Sequence, residues 1–373
     1  MPVLSRADNS VLGRWWWTVD RWTLGAIGVL IGFGYVMMLA ASPAVAERIG
    51  SSRDIFIFKQ VFFLAVAGVI VVATSMLSPR NIKRLAIAGC ILALVLTAAT
   101  LVIGVEIKGA RRWIALPGLA MQPSEFLKPC FAVVTAWLID EGRRSPRFPG
   151  MIIAFCVFGL ILLLLKSQPD IGMLAVITVV FLCQLYVGGM NLFFVAAGMG
   201  MISGGAFMAY LLFPHVQSRV QRFLHPESGD TYQVTTALEA FGNGGLFGRG
   251  PGEGRVKDVL PDAHADFVYA VAGEEFGMLV CVVILGLFGF VVLRGLLRLL
   301  KEQDFFVVLA CTGLVSGFGL QAFVNMASTL KLIPTKGMTL PFISYGGSSV
   351  VAVALGMGML LALTRRRHHG DVP

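Results

Sequence analysis

The sequence predicts an all-α polytopic membrane protein of ten transmembrane helices, with a long extracytoplasmic loop between the seventh and the eighth. Three observations carry that prediction. Of 373 residues, 57% are hydrophobic and only 14% are charged, whereas soluble domains carry about 25% charged residues. The apolar residues gather into runs long enough to cross a bilayer, which takes roughly 20 residues each. Nor do these runs show the alternating segments of about ten residues that a membrane β-barrel requires.

The first run, 23–41, follows a segment carrying Trp15, Trp16 and Trp17. Those tryptophans read as an interfacial aromatic belt, without a signal-peptide cleavage pattern. Runs at 57–77 and 85–104 come next, separated by Arg80, Lys83 and Arg84. The run at 123–139 stops short of Arg143, Arg144 and Arg147, and runs at 150–165, 170–187 and 192–213 follow in close succession. After a polar interruption come 266–293, 305–327 and 340–364. The chain divides accordingly into an N-terminal segment 1–22, one ten-helix domain 23–364 containing the loop 214–265, and a basic tail 365–373.

An even number of spans places both termini on one side. That side collects Arg6, Arg14 and Arg21, the clusters at 80–84 and 143–147, then Arg294, Arg298 and Lys301, and finally Arg365, Arg366 and Arg367. Short loops rich in Lys and Arg mark the cytoplasm. The net charge of +9 therefore reflects topology first, and nucleic acid is not implied. The opposite side holds Arg48, Arg53, Lys108, Arg111, Arg112, Lys166, Arg219, Arg222, Arg249, Arg255, Lys257, Lys331 and Lys336. The length of the 214–265 loop excuses those within it but not Arg111, Arg112 or Lys336. An anionic ligand on that face is the simplest account.

The cysteines (Cys90, Cys130, Cys156, Cys183, Cys281 and Cys311) all fall inside apolar runs, with no CxxC or Cys/His cluster. Neither a disulfide framework nor a zinc site is supported, and no metal ligands are assigned. Gly346, Gly347, Gly356 and Gly358 in the last span fit close helix packing.

The polar stretch 231–275 holds glycines, Arg and Lys, a His between acids, and Asp266 where the chain re-enters the membrane. Its glycines fit either a flexible hinge or a tight backbone approach to a ligand. They lack the βαβ context of a nucleotide-binding motif. Within spans, ionisable residues are costly and need a reason; Lys59, Glu125, Lys128, Asp170, Glu274 and Glu275 are the candidates. Glu125 and Lys128 share a helical face and read equally as a structural ion pair or as substrate contacts. Asp170 reads as a helix cap or a site residue. Glu274 and Glu275 point about 100° apart, so at most one faces a given cavity. Asp266, beside His264 and downstream of Lys257, is a carboxylate placed to deprotonate a hydroxyl at the membrane surface. His264 itself is most simply a hydrogen-bond partner.

Five ordered motifs, KGARRWI (108–114), QPSEFLK (122–128), QPDIG (168–172), LPDAHADFVYAVAGEEFG (260–277) and PTKGMTLPFISYGGSS (334–349), resemble those of the SEDS family (shape, elongation, division and sporulation). The likeness runs over nearly the whole chain. Thr335–Lys336–Gly337 and Ala263–His264 are similar to the division-type members, and the opening SRADNSVLGRWWWTVDR to those of alphaproteobacteria. The sequence departs from the family at Asp262, commonly Glu, and at Ala265, commonly Thr. The latter removes a hydroxyl beside the aspartate and leaves the carboxylate in place.

The resemblance implies a peptidoglycan glycosyltransferase of the bacterial inner membrane and division site that polymerises lipid II. It implies a class B penicillin-binding protein and other division proteins as partners. Asp266 matches the family's proposed general base. Arg112, Glu125, Lys128, Gln168, Asp170, Lys257, Glu275, Lys336 and Ser344 match motifs lining its cavity, with His264 adjoining. A growing glycan on undecaprenyl pyrophosphate is the expected second substrate. Outer Arg and Lys suit neutralisation of the leaving pyrophosphate; Mg²⁺ is compatible with that role and not required by it. The same cavity would also serve a lipid II flippase, and a non-catalytic divisome scaffold is the third reading.

Overall fold

In the computed structural model, residues 10–48, 53–107, 110–116, 119–224, 232–334 and 337–365 are described. The chain is nearly all-helical. Seven of its described helices are long and apolar enough to cross a membrane, and Ile171–Val187 and Gly347–Leu363 are shorter apolar helices.

A short helix α1 (Val11–Thr18) precedes α2 (Arg21–Arg48), α3 (Arg53–Ser75) and α4 (Pro79–Ile103). Ser78 caps α4 by accepting from the Asn81 N–H, with Pro79 at the first helical position, where its missing N–H costs nothing. Three short antiparallel strands follow: β1 (Val105–Ile107), β2 (Ala110–Leu116) and β3 (Leu119–Met121). They correct the all-α expectation. β1 and β3 have three residues each, too few for a period to register, and β2, ARRWIAL, does not alternate apolar with polar.

Next come α5 (Ser124–Arg144), α6 (Gly150–Ser167), α7 (Ile171–Val187), α8 (Leu192–Leu212), α9 (Pro214–Leu224) and α10 (Tyr232–Gly244), then α11 (Val268–Leu299), α12 (Phe305–Thr329) and α13 (Gly347–Leu363). The stretch expected as a loop over 214–265 thus contains, among its described residues, the two α-helices α9 and α10 and a single 3-10 turn at Val256–Asp258. The last expected span, 340–364, starts later: residues 340–346 form a turn, with Phe342 at φ 63°.

Helix α12 is the centre of the bundle, packing on α5, α7, α11 and α13. Its apolar window is 61% buried, against 7% for α8, which lies at the margin against α7 and α9. Helix α13 packs most closely on α3; Gly358 lies against Thr74 and Gly347 against the Phe63 ring. All six cysteines are free. Trp15 is buried and donates its indole N–H to Ser75 Oγ at 2.8 Å. It therefore anchors α1 to the end of α3 rather than sitting in an interfacial belt. Arg294 and Arg298 of α11 reach Asp20 at 2.8 and 3.0 Å, which ties the same N-terminal segment to the far end of α11.

Helix α11 is not continuous. Gly277 sits at φ 81°, ψ 176°, a conformation that L side chains avoid. The backbone groups freed by this break are taken up by the glycine-rich segment after α10. Arg249 and Gly250 N–H donate to the carbonyls of Glu274 and Glu275, and Met278 and Leu279 N–H donate to those of Gly245 and Leu246. Broken helical backbone inside an apolar run is tolerated where protein takes up its polar groups. A Cβ on Gly248 would collide with the Glu275 carbonyl. Here the close approach expected of these glycines is made to the chain's own backbone.

Candidate active site

Asp266 lies two residues ahead of α11, in a turn where the N–H groups of Ala265 and Asp266 donate to the Asp262 carbonyl. Asp262 takes φ 53°, which Asp tolerates better than most residues. The Asp266 carboxylate rests against Gly337, where φ is +58° and a Cβ would come within 3.0 Å of Oδ2. Any side chain there would be strained and would crowd the carboxylate, which is the physical reason for glycine in Thr335–Lys336–Gly337. Lys336 itself lies outside the described residues.

Three successive carbonyls at this point each accept from a different donor. The Tyr345 N–H donates to His264 O at 2.9 Å, Ser344 Oγ to Ala265 O at 2.5 Å, and Asn325 Nδ2 to Asp266 O at 3.0 Å. Ser344 is fully buried and also accepts from the Leu340 N–H. Its hydroxyl is thus spent on backbone.

One helical turn before Asn325, Gln321 extends the polar network. Its amide donates to Thr339 O and to the Thr339 and Ser349 hydroxyls, and its Oε1 accepts from Lys128 Nζ at 2.5 Å. Lys128 also pairs with Glu125 at 2.8 Å. Lys128 and Gln321 stand at the polar edge of a cavity of about 40 Å³, otherwise lined by apolar side chains of α5, α7, α12 and α13. Gln321 and Asn325 were not among the residues singled out from sequence. Two amides four apart inside an apolar span share a helical face, and buried amides need partners there as ionisable groups do. That spacing was the available signal.

Arg112, Gln168 and Asp170 form a separate node at the α6–α7 turn. Arg112 donates to Gln168 O and Pro169 O at 2.9 and 2.7 Å and lies 3.5 Å from the Asp170 carboxylate. Asp170 caps α7 by accepting from the Met173 N–H. Gln168 donates to Thr100 Oγ1 and Thr97 O. A third node joins the glycine-rich segment to the first half of α11. Lys257 Nζ meets Glu275 at 2.5 Å, the two residues being 7% and 1% exposed. Glu275 also accepts from Gly252 N–H, while Glu274 accepts from the N–H groups of Arg255 and Val256. The two adjacent glutamates grip one loop at different points.

His264 packs edge-on to Phe56 and tilted against Tyr345. Its Nδ1 is buried with no hydrogen-bond partner among the described residues. Burial lowers its pKa below 6.5, only partly opposed by Asp262, so the neutral ring is the folded form. With the folded pKa depressed, protons bind the unfolded chain first, and stability falls as pH drops below 6.5. The expected slope difference between wild type and H264Q in thermal melts from pH 7.5 to 5 is at most about 1.4 kcal/mol per pH unit. Identical slopes would exclude this histidine as the cause.

Among the described residues no group of three or more His, Cys, Asp or Glu comes together to hold a metal ion.

The profile of the family described as cell cycle protein, FTSW_RODA_SPOVE, matches residues 21–369. The chain is 45% identical to the probable peptidoglycan glycosyltransferase FtsW of Caulobacter vibrioides, covering 98% of this chain and 94% of that protein. It is 36% identical to the protein of the same description from Trichlorobacter lovleyi, over 90% of each. Among solved structures it is similar to a chain from a peptidoglycan synthase complex coordinating polymerization and crosslinking (TM-score 0.76, 26% identity, 93% of this chain and 97% of that one). It is similar also to the rod shape determining protein RodA of Thermus thermophilus (TM-score 0.69, 26% identity, 94% and 97%).

Proposed function

The chain belongs to the FTSW_RODA_SPOVE family of cell cycle proteins, and from that premise we propose that it is a peptidoglycan glycosyltransferase polymerising lipid II during division. The reaction takes place at the outer face of the inner membrane, with ten spans and both termini in the cytoplasm. Asp266 takes the proton from the 4-hydroxyl of the acceptor's GlcNAc. That oxygen attacks the anomeric carbon of the donor's MurNAc, and undecaprenyl pyrophosphate leaves. An α-linked donor then gives a β-linked product by direct displacement, which needs one base and no covalent intermediate. The pyrophosphate needs its developing charge neutralised rather than a strong acid, and outer-face Arg and Lys supply that. A class B penicillin-binding protein is the partner that crosslinks the product.

One observation above the others supports this reading: a carboxylate at the head of α11, held against bare backbone at Gly337 while its own main chain is fixed from two sides. A base must be placed before it can be tuned. Lys128, with Glu125 and Gln321, gives the neighbouring cavity its polar edge. The Arg112–Asp170 pair ties down the α6–α7 turn and the Lys257–Glu275 pair the glycine-rich segment.

The test is polymerisation of labelled lipid II by the purified protein, alone and with its cognate penicillin-binding protein inactivated for crosslinking. Glycan ladders are the expected result. Translocation of lipid II in liposomes without ladders would replace this reading with a flippase. Neither activity, with the partner present, would leave a scaffold.

A further inference from the structure

We propose that Asn325 is a positioning residue for Asp266, an inference that rests on Asp266 being the base. The Asn325 side chain is fully buried, and both hydrogens of its amide are committed. One goes to the Asp266 carbonyl at 3.0 Å and the other to the Met338 carbonyl at 2.5 Å. Met338 follows Gly337, the residue against which the Asp266 carboxylate rests. A single amide therefore sets the spacing between the base and the wall facing it. Two acceptors on one nitrogen also fix which end of the amide is NH₂, since a flipped side chain would set oxygen against two carbonyls.

Within α12 the last turn closes back on Asn325. Its backbone carbonyl accepts from the Ser328 and Thr329 hydroxyls at 2.9 and 2.8 Å. From the opposite side Ser344 and the Tyr345 N–H hold the two preceding carbonyls. With three consecutive carbonyls engaged, the peptide planes leading to Asp266 are set, and the carboxylate retains little beyond its own side-chain torsions. Catalytic groups held this way keep productive geometry, and a displacement of about 1 Å can cost 10²-fold in rate. An Asn that served only to glue α12 to its neighbours would not need to hold both the Asp266 main chain and the segment that faces its carboxylate.

The experiment uses the purified full-length chain with its crosslinking-inactive partner and labelled lipid II. N325A is expected to lower kcat by about 10- to 100-fold, with KM within about threefold of wild type. A wild-type kcat, or a loss confined to KM, would overturn the proposal. If N325A does not yield monodisperse, cooperatively melting protein, S344A carries the test, because it deletes one oxygen and releases the Ala265 carbonyl together with the Leu340 N–H. The expected loss is then about tenfold in kcat at unchanged KM, and an unchanged kcat overturns the cradle. D266N is assayed alongside. Normal polymerisation by D266N would remove the base reading and this inference with it. An inactive D266N beside an unimpaired N325A would remove only the positioning role.

Discussion

Replacing Asp266 with asparagine is expected to lower kcat for glycan polymerisation by about 10²- to 10⁴-fold, the usual contribution of a positioned general base. The substitution keeps the side chain's shape and removes its charge and its capacity to take a proton. It leaves in place the backbone contacts that hold residue 266, its N–H to Asp262 and its carbonyl to Asn325. Thermal stability and lipid II affinity therefore serve as controls expected to stay near wild type. Initial rates of labelled lipid II consumption measure the effect. D266E is the informative companion, since it restores a carboxylate one methylene further out, beside Gly337, where even an added Cβ would come to 3.0 Å from the present carboxylate. A partial rate there, between D266N and wild type, separates loss of the base from loss of its position. A D266N enzyme within a few fold of wild type would sink the assignment outright.

Much of this arrangement was legible in the sequence. The carboxylate at the end of a polar loop stands out in the sequence; the Glu125–Lys128 pairing and the capping by Asp170 are each one of two readings that spacing leaves open, and both of those contacts are present. What escaped has physical causes. Gln321 and Asn325 were missed because charge is the conspicuous cost inside a membrane, whereas an amide hides among apolar neighbours. The break at Gly277 resembles any packing glycine in an apolar run. Its partner backbone lies in the 245–250 segment, beyond the reach of local pattern. Hydropathy also cannot tell an apolar turn from an apolar helix. For that reason residues 340–346, rich in apolar side chains yet wound around Ser344, were read as the start of the last span.

A second large effect is expected at Lys257. K257M would leave the Glu275 carboxylate buried with the Gly252 N–H as its remaining described partner. Removing one member of a buried ion pair costs about 3–5 kcal/mol, most of it the penalty on the charge left behind. The loss should show as a lower melting temperature and faster proteolysis of the glycine-rich segment, which Glu274 and Glu275 hold against the break in α11. K257M/E275Q removes both charges at similar volume, and should recover most of the lost stability because no unpaired ion remains. The double variant also separates two roles for these residues. If the pair serves only to hold the loop, restored stability brings restored polymerisation, to within about tenfold of wild type. If Lys257 or Glu275 contacts lipid II, the double variant melts normally and stays inactive. A K257M protein as stable as wild type, or a double variant as unstable as the single, would mean that the pair does not fasten the loop, and the break in α11 would need another support.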